Sequence, residues 1–370
     1  MSRKKRIIVS VTNDLYTDQR VHKVCQFLRE NNYNVLLIGR KRRSSLELSP
    51  RDYKTKRMRL LFEKGALFYA FFNLRLFFFL LFRKSDALLS NDLDTLLANY
   101  LVSKIKRKRL IYDTHELFTE VPELTSRPKV RKIWLGIEKW IFPKLKTVYT
   151  VNQSIADIYT KRYSVPVKVV RNISPKWTVP VIKTKVELQL PEDKYIIILQ
   201  GAGINIDRGA EEAVEAMKNV ENAVLIFVGD GDVIPQLKTK VVNEKLDEKV
   251  KFYGKKPYQE LMQYTFYADI GLTLDKDTNQ NYKYSLPNKV FDYIHTNTAV
   301  VASNILEVLN IVERHNVGLI LKEVSPEAIS KAINALIKDE EQLKQFKLNC
   351  TIASQTENWE KEKIVLASIF

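Results

Sequence analysis

Short apolar runs of strand length recur along this chain, each followed by a stretch with helical spacing. Residues 7–12, 35–39, 86–90, 110–113 and 147–151 form one series of candidate strands. After Pro175 the pattern restarts, with candidate strands at 195–200, 223–229, 250–253, 269–274, 300–303 and 318–321. Residues 22–29, 209–218 and 326–337 are the clearest helices between them. Strands that read as continuous apolar runs are buried on both faces, and repeated β-α-β units imply parallel sheets covered by helices. Two such series predict an α/β protein of two Rossmann-like, doubly wound domains facing a cleft, with ligands at the carboxyl ends of the strands. A chain of 370 residues suits two cores. The expected division is a first domain over 1–172 and a linker over 173–188, which contains Pro175 and Pro180. A second domain follows over 189–354, then a terminal helix over 355–370 anchored by Trp359.

One segment departs from this rhythm. Gly65–Phe82 reads GALFYAFFNLRLFFFLLF, almost long enough to cross a bilayer. Asn73 and Arg75 interrupt it, and an Arg at the bilayer centre is costly. A buried helix of the first domain, a helix lying in a membrane plane and a true span all remain open.

Charge sharpens the division. The net charge is +17, and residues 1–170 hold 35 Lys and Arg against 15 Asp and Glu. The other 200 residues hold 25 against 28. A basic first half implies an anionic partner such as a membrane surface, an acidic substrate or nucleic acid. Its basic clusters at 40–43, 51–59 and 104–109 fall mostly in expected loops. Few aromatics interleave them and no nucleic-acid module is present, so nucleic acid is not expected. The two cysteines, Cys25 and Cys350, form no disulfide framework or metal motif, which favours a reducing, cytoplasmic compartment. The basic start, Arg3 to Arg6, is followed only by a strand-length apolar run, so no signal peptide is expected.

Several motifs fall at strand ends. Gln200-Gly201-Ala202-Gly203 follows one strand, and Asp207-Arg208-Gly209 opens the next helix. Glycines there let backbone approach a diphosphate and Arg208 can neutralise it, although the spacing is not the dinucleotide fingerprint. Gly229-Asp230-Gly231 makes a turn with room for a ligand, or simply a turn. Ser285-Leu286-Pro287-Asn288-Lys289-Val290-Phe291-Asp292-Tyr293 places a cation and an acid three residues apart at a helix start. Such a site suits phosphate and ribose. In the first half, His115 ends the stretch Tyr112-Asp113-Thr114-His115. There it can meet an acceptor hydroxyl, or bond to a neighbouring carboxylate as a structural residue. Asn13 and Asp14, and Asn91 and Asp92, are candidate acceptor contacts. Helix capping by Asp92 or Asp94 is the favoured alternative there, and Arg20 near a helix start suits a phosphate or the surface.

Together the double Rossmann pattern, residues 201–209, 229–231 and 285–293 resemble glycosyltransferase family 4, which has the GT-B fold. The resemblance covers nearly the whole chain. It implies a retaining enzyme whose second domain holds a nucleotide-diphosphate-sugar donor and whose first holds a glycan or lipid-linked acceptor, with no cofactor and no required metal. By residue, it implies that Asp292 is the ribose-contacting acid, the second of the family's Glu pair. Arg208 would be the diphosphate contact, and Leu286, Pro287, Asn288 and Lys289 the loop beneath it. His115 would be the cleft histidine. The terminal helix would return to the first domain. Two positions depart from the family: its first Glu falls at Tyr284, and the basic residue of its glycine-rich loop is replaced by Ala202 and Gly203.

The resulting expectation is transfer of a sugar during surface polysaccharide or lipopolysaccharide synthesis, by a cytoplasmic protein peripheral to the membrane's inner face. The alternatives are a nucleotide-sugar epimerase and a non-catalytic sugar-nucleotide-binding or scaffold subunit.

Overall fold

The computed structural model describes residues 4–16, 18–178 and 181–370. Arg3 and Pro180, which entered the sequence reading, lie outside them. The chain divides into two compact units, one running to Arg171 and including Val365–Phe370, the other Asn172–Ile364.

Unit 1 runs β1 (Arg6–Asp14), α1 (Gln19–Glu30), β2 (Asn34–Lys41), β3 (Lys54–Arg59), α2 (Gly65–Phe82), β4 (Ala87–Asn91), α3 (Leu93–Ile105) and β5 (Arg109–Thr114). It continues with α4 (Pro122–Thr125), α5 (Pro128–Ile141), β6 (Val148–Thr150), α6 (Gln153–Tyr163) and β7 (Val167–Val169). All seven strands are parallel, in the order β3-β2-β1-β4-β5-β6-β7. Two strands escaped the sequence pattern. β3, KTKRMR, buries only Met58, and its exposed lysines suit a sheet edge that must not pair with another chain. The basic stretch expected in a loop at 51–59 is therefore largely an edge strand. β7 has only three residues, too few to show a period.

The apolar helix α2 is a working part of this unit. Phe68, Phe72, Leu76 and Leu80, spaced by four, pack with Ile8, Ile38, Leu88, Ala98 and Val102. Both polar interruptions have uses. The Asn73 amide donates to the carbonyls of Tyr69 at 3.0 Å and Asp94 at 2.7 Å, and the Arg75 guanidinium donates to the carbonyl of Arg59. A helix with one face committed to this core is not a free-standing span, although its length and composition would allow one.

Unit 2 runs β8 (Tyr195–Gly201), α7 (Ala210–Ala216), β9 (Ala223–Gly229), α8 (Ile234–Asn243), β10 (Val250–Phe252), α9 (Tyr258–Tyr267) and β11 (Ile270–Thr273). Then come α10 (Gln280–Lys283), α11 (Lys289–His295), β12 (Ala299–Ser303), α12 (Leu306–His315) and β13 (Gly318–Leu321). α13 (Pro326–Lys338), α14 (Glu340–Ala353) and α15 (Trp359–Ala367) as far as Ile364 complete it. Its six parallel strands are ordered β10-β9-β8-β11-β12-β13, with an apolar layer on each side of the sheet. The segment expected as a linker is anchored here at its two ends: Ile173 and Leu188 are buried in this core, and the Trp359 amide donates to the Ser174 carbonyl. The polar stretch after β11 contains the helical turn α10, capped by the Asn279 side chain.

In both sheets the strand order reverses beside the first strand, between β1 and β4 and between β8 and β11. Loops diverge from such a switch point and leave a crevice at the carboxyl ends. In unit 2 the first two loops are strapped together there. The Asp230 amide donates to the Gly201 carbonyl and the Ile204 amide to the Asp230 carbonyl, each at 3.0 Å. A Cβ on Gly229 would lie 1.8 Å from the Gly201 carbonyl oxygen, whereas one on Gly203 meets nothing closer than 3.8 Å. Gly229→Ala is thus expected to cost more than about 3 kcal/mol in urea unfolding, and Gly203→Ala less than about 0.5 kcal/mol.

Candidate functional site

Unit 1 gathers its polar residues at the switch point. Asp113, the penultimate residue of β5, is fully buried. Arg20 grips it in a fork, with Nε 3.0 Å and Nη2 2.8 Å from its two oxygens, and spends Nη1 on the Val170 carbonyl at 2.9 Å. Arg20 is itself 4% exposed, so the phosphate or surface role open to it in the sequence is replaced by a structural one.

His115 lies just beyond β5. Its Nδ1 is 3.0 Å from Asp92 and its Nε2 3.2 Å from Asp113. Burial alone would push the imidazole down, but the two carboxylates override it and hold it well above its ordinary value. With a carboxylate at hydrogen-bond distance from each ring nitrogen, the protonated ring donates to both, which leaves no nitrogen to act as a base. Asp113 is correspondingly held down at about 2, burial being outweighed by Arg20 and His115.

The expected helix cap is not made. Asp92 occupies the N-cap position of α3 with φ 56°, but its carboxylate takes the His115 amide and ring instead. Asp94 accepts from the Thr12 hydroxyl. Asn91 is fully buried, donating to the Ser10 carbonyl at 3.0 Å, so it braces β1 against β4 rather than presenting to solvent. Asn13 is exposed and donates to Asp18, while Asp14 receives Arg57 and Ser45.

In unit 2 the switch point brings together residues from both sides. Arg208, from the loop after β8, donates from Nη1 to both oxygens of Asp275, after β11, at 3.2 and 3.3 Å. Its guanidinium lies 4.7 Å over the Tyr282 ring. Lys289 opens α11 close by. Burial lowers its pKa, Asp275 opposes that and Arg208 adds to it. Arg208 Nε, Ser285 Oγ and Thr273 Oγ1 are buried without a hydrogen-bond partner. Unpaired donors of this kind cost stability unless a ligand takes them. Pro287 and Asn288 start α11 through their carbonyls, and Leu286 packs against the core.

Asp292 sits deeper, 5% exposed. Tyr258 donates to it at 2.8 Å, Gln200 at 3.0 Å and Ser174 at 3.5 Å, and Gln200 is fixed by Thr265. Burial and the Asp292 charge push the Tyr258 hydroxyl up, so it remains a donor. Gly229 and Gly231 are required by close backbone approach, Gly231 to Ile204, while Gly201, at φ 144°, and Gly203 border open space. Sequence reasoning missed Asp275, Tyr282, Tyr258 and Ser174. Asp275 carried a signal, an acid directly after an apolar strand; the other three carried none. Among the described residues no group of three His, Cys, Asp or Glu is placed to hold a metal ion. A cavity of about 610 Å³ lies elsewhere, lined by Lys194, Glu248, Lys251 and Tyr253 near the starts of β8 and β9.

The unit 1 network sets a pH dependence. Asp94 is pushed up to about 8 by burial and then by Asp92, with Thr12 opposing. The folded state keeps this proton where the unfolded chain has lost it, so stability falls as pH rises from about 4 to about 8, by up to about 1.4 kcal/mol per unit. His115 adds the same sign above 6.5. Asp94→Asn, which mimics the protonated acid, removes only the first contribution. Its melting temperature should match the wild type near the acid end of thermal melts and exceed it progressively toward pH 8. Parallel curves would contradict this assignment.

A model of glycosyl transferases group 1 matches residues 182–351, and one of glycosyltransferase family 4 matches residues 18–173. No curated protein matches the sequence. Among solved structures, sucrose-phosphate synthase from Thermosynechococcus elongatus superposes with a TM-score of 0.80 at 17% identity, covering 99% of this chain and 98% of that one. Anabaena HepE, solved with UDP and glucose, gives 0.75 at 14% identity, with 98% of each chain covered. WaaG, a glycosyltransferase involved in lipopolysaccharide biosynthesis, gives 0.68 at 13% identity, covering 98% of this chain and 99% of that one. Matched by family models in both units and sharing this fold over nearly its whole length, the chain belongs to glycosyltransferase family 4, with the GT-B fold.

Proposed function

We propose that the protein is a retaining glycosyltransferase that moves a sugar from a nucleotide-diphosphate-sugar to a hydroxyl of a glycan or lipid-linked acceptor, in surface polysaccharide or lipopolysaccharide synthesis. The observation that carries this reading is the cluster of Arg208, Lys289 and Ser285 at the switch point of unit 2, with buried donors left unpaired. A diphosphate supplies the missing acceptors. α7 and α11 have only seven residues each, so side-chain cations rather than helix dipoles carry most of the anion's stabilisation.

In the proposed reaction the bond from the anomeric carbon to the diphosphate oxygen breaks while Arg208 and Lys289 stabilise the leaving charge. The acceptor oxygen bonds to the same face, and its proton passes to the departing phosphate oxygen. No side-chain base is needed, which accords with a His115 ring already committed to two carboxylates. Asp292, held by three donors, orients the nucleoside end. We place the protein at the cytoplasmic face of a membrane, on the strength of its basic, apolar-faced unit 1. HepE, solved with UDP and with UDP-glucose, makes a uridine donor the first candidate.

One observation favours a non-catalytic sugar-nucleotide-binding role: Tyr284 stands where the family has its first Glu. A thermal-shift series with UDP, GDP, ADP and their sugars separates the readings. One nucleotide at a hundred times its dissociation constant should stabilise by about 2.7 kcal/mol, a shift of roughly 5–10 °C. Lys289→Ala should abolish it without lowering the melting temperature of the free protein, whereas Arg208→Ala should abolish it and also lower that temperature, because it leaves the buried Asp275 without its cation. No shift with any nucleotide would defeat the donor site. Binding without slow hydrolysis or transfer of the sugar would select the non-catalytic role.

Asp275 is expected to position Arg208 rather than touch the donor. Asp275→Asn should therefore weaken nucleotide-sugar binding by about tenfold, and Asp275→Glu should restore part of it. An unchanged affinity in Asp275→Asn would contradict this role.

A further inference from the structure

α2 has two apolar faces, and unit 1 uses only one. Opposite its buried stripe, Leu67, Leu74, Phe78 and Phe82 are 50–80% exposed. They follow helical spacing, so they form a second stripe along the whole helix. A soluble monomer rarely leaves such a surface uncovered.

α5 presents a second face of the same kind. Ile133 and Trp140 are 63% and 47% exposed, and Lys129, Lys132 and Lys139 lie beside them. The helices α2, α3 and α5 carry the chain from β3 to β4, β4 to β5 and β5 to β6, all in one direction along the sheet. Right-handed crossovers therefore put them in one layer on one face. α3, between them, is buried along most of its length, while the Tyr69 ring of α2 meets the Trp134 ring of α5 at 5.3 Å. The outward surface of this layer is thus formed chiefly by α2 and α5.

We infer that the outward faces of α2 and α5 dock unit 1 onto an anionic lipid bilayer, α2 lying in the plane of the interface. The charges choose this occupant. α2 contains no acid, and the one acid of α5, Glu138, is fully buried. Lys64, Arg83 and Lys84 at the ends of α2 and the three lysines of α5 are exposed, where long basic side chains reach lipid phosphates while their stems lie on apolar surface. The Lys144 ammonium sits 4.9 Å over the Trp140 ring, pairing a cation with an aromatic of the kind that favours the headgroup layer. A second copy of this chain would set two basic faces against each other. This inference deepens the proposed membrane-face location and rests on it for its purpose, but its geometry lies wholly within unit 1, away from the donor site.

The test is flotation of the full-length protein with phosphatidylcholine vesicles, with and without phosphatidylglycerol. Wild type should float with the anionic vesicles at low salt and much less at high salt. Leu74→Glu with Phe78→Glu, both at half-exposed positions, should lower the bound fraction about tenfold and leave the melting temperature unchanged. Lys132→Glu with Lys139→Glu should remove mainly the salt-sensitive part. Nucleotide thermal shifts in the same variants should equal those of wild type, so loss of lipid binding is distinguishable from loss of the donor site. No flotation of wild type at low salt, or flotation unaffected by Leu74→Glu with Phe78→Glu, overturns the inference. So does a wild-type dimer that the same pair of changes converts to monomer, which would make the face a self-interface.

Discussion

A carboxylate buried beside the carboxyl ends of a parallel sheet has to be compensated on the spot, and the two units meet that constraint in different ways. In unit 1 the compensation is ionic. Asp113 takes a forked arginine and one side of an imidazolium whose other side is held by Asp92. Arg20 spends all three of its nitrogens and His115 both of its own in this network, so neither is left to contact a ligand. In unit 2 the compensation is partly neutral. Asp292 is held by a hydroxyl, an amide and a second, longer hydroxyl contact. Its neighbour Asp275 takes only one nitrogen of Arg208. That leaves Arg208 Nε without a partner, and Lys289 opens the adjoining helix. The contrast explains why anion chemistry is assigned to unit 2 although most of the basic residues are in unit 1.

Much of this architecture is legible in the sequence because a buried parallel strand needs an unbroken apolar run. Eleven such runs coincide with strands, and the two strands that were missed lack that property. β3 is an edge strand with one buried side chain, and β7 is three residues long. The site is less legible. Motif spacing picks out Arg208, Lys289, Asp292 and His115 because they sit at strand ends or helix starts. It does not reveal what holds them. Arg20 lies 93 residues from Asp113, and Tyr258 and Ser174 reach Asp292 across 34 and 118 residues. Such pairings are products of the strand order, which local pattern does not encode. The same limit applies to the glycines. Gly229 and Gly203 look alike in sequence, yet one is pressed against a neighbouring backbone and the other borders open space.

α2 shows how composition can mislead in both directions. Eighteen residues with apolar side chains on all sides read equally as a core helix, an in-plane helix or a span. The decision lies in what each face touches. One stripe is committed to the core, and Asn73 hydrogen-bonds the start of α3, so leaving unit 1 would expose the core and break those bonds. The other stripe, Leu67, Leu74, Phe78 and Phe82, is 50–80% exposed. A helix held in this way can meet a bilayer only along its length, because it is tied at its C-terminal end, where Lys106 donates to the carbonyls of Leu80 and Arg83, and at its middle, where Arg75 donates to that of Arg59. Partial commitment to the core is thus what makes in-plane contact geometrically natural and insertion across the bilayer prohibitive. It also means that removing the exposed apolar side chains tests membrane contact without testing the fold.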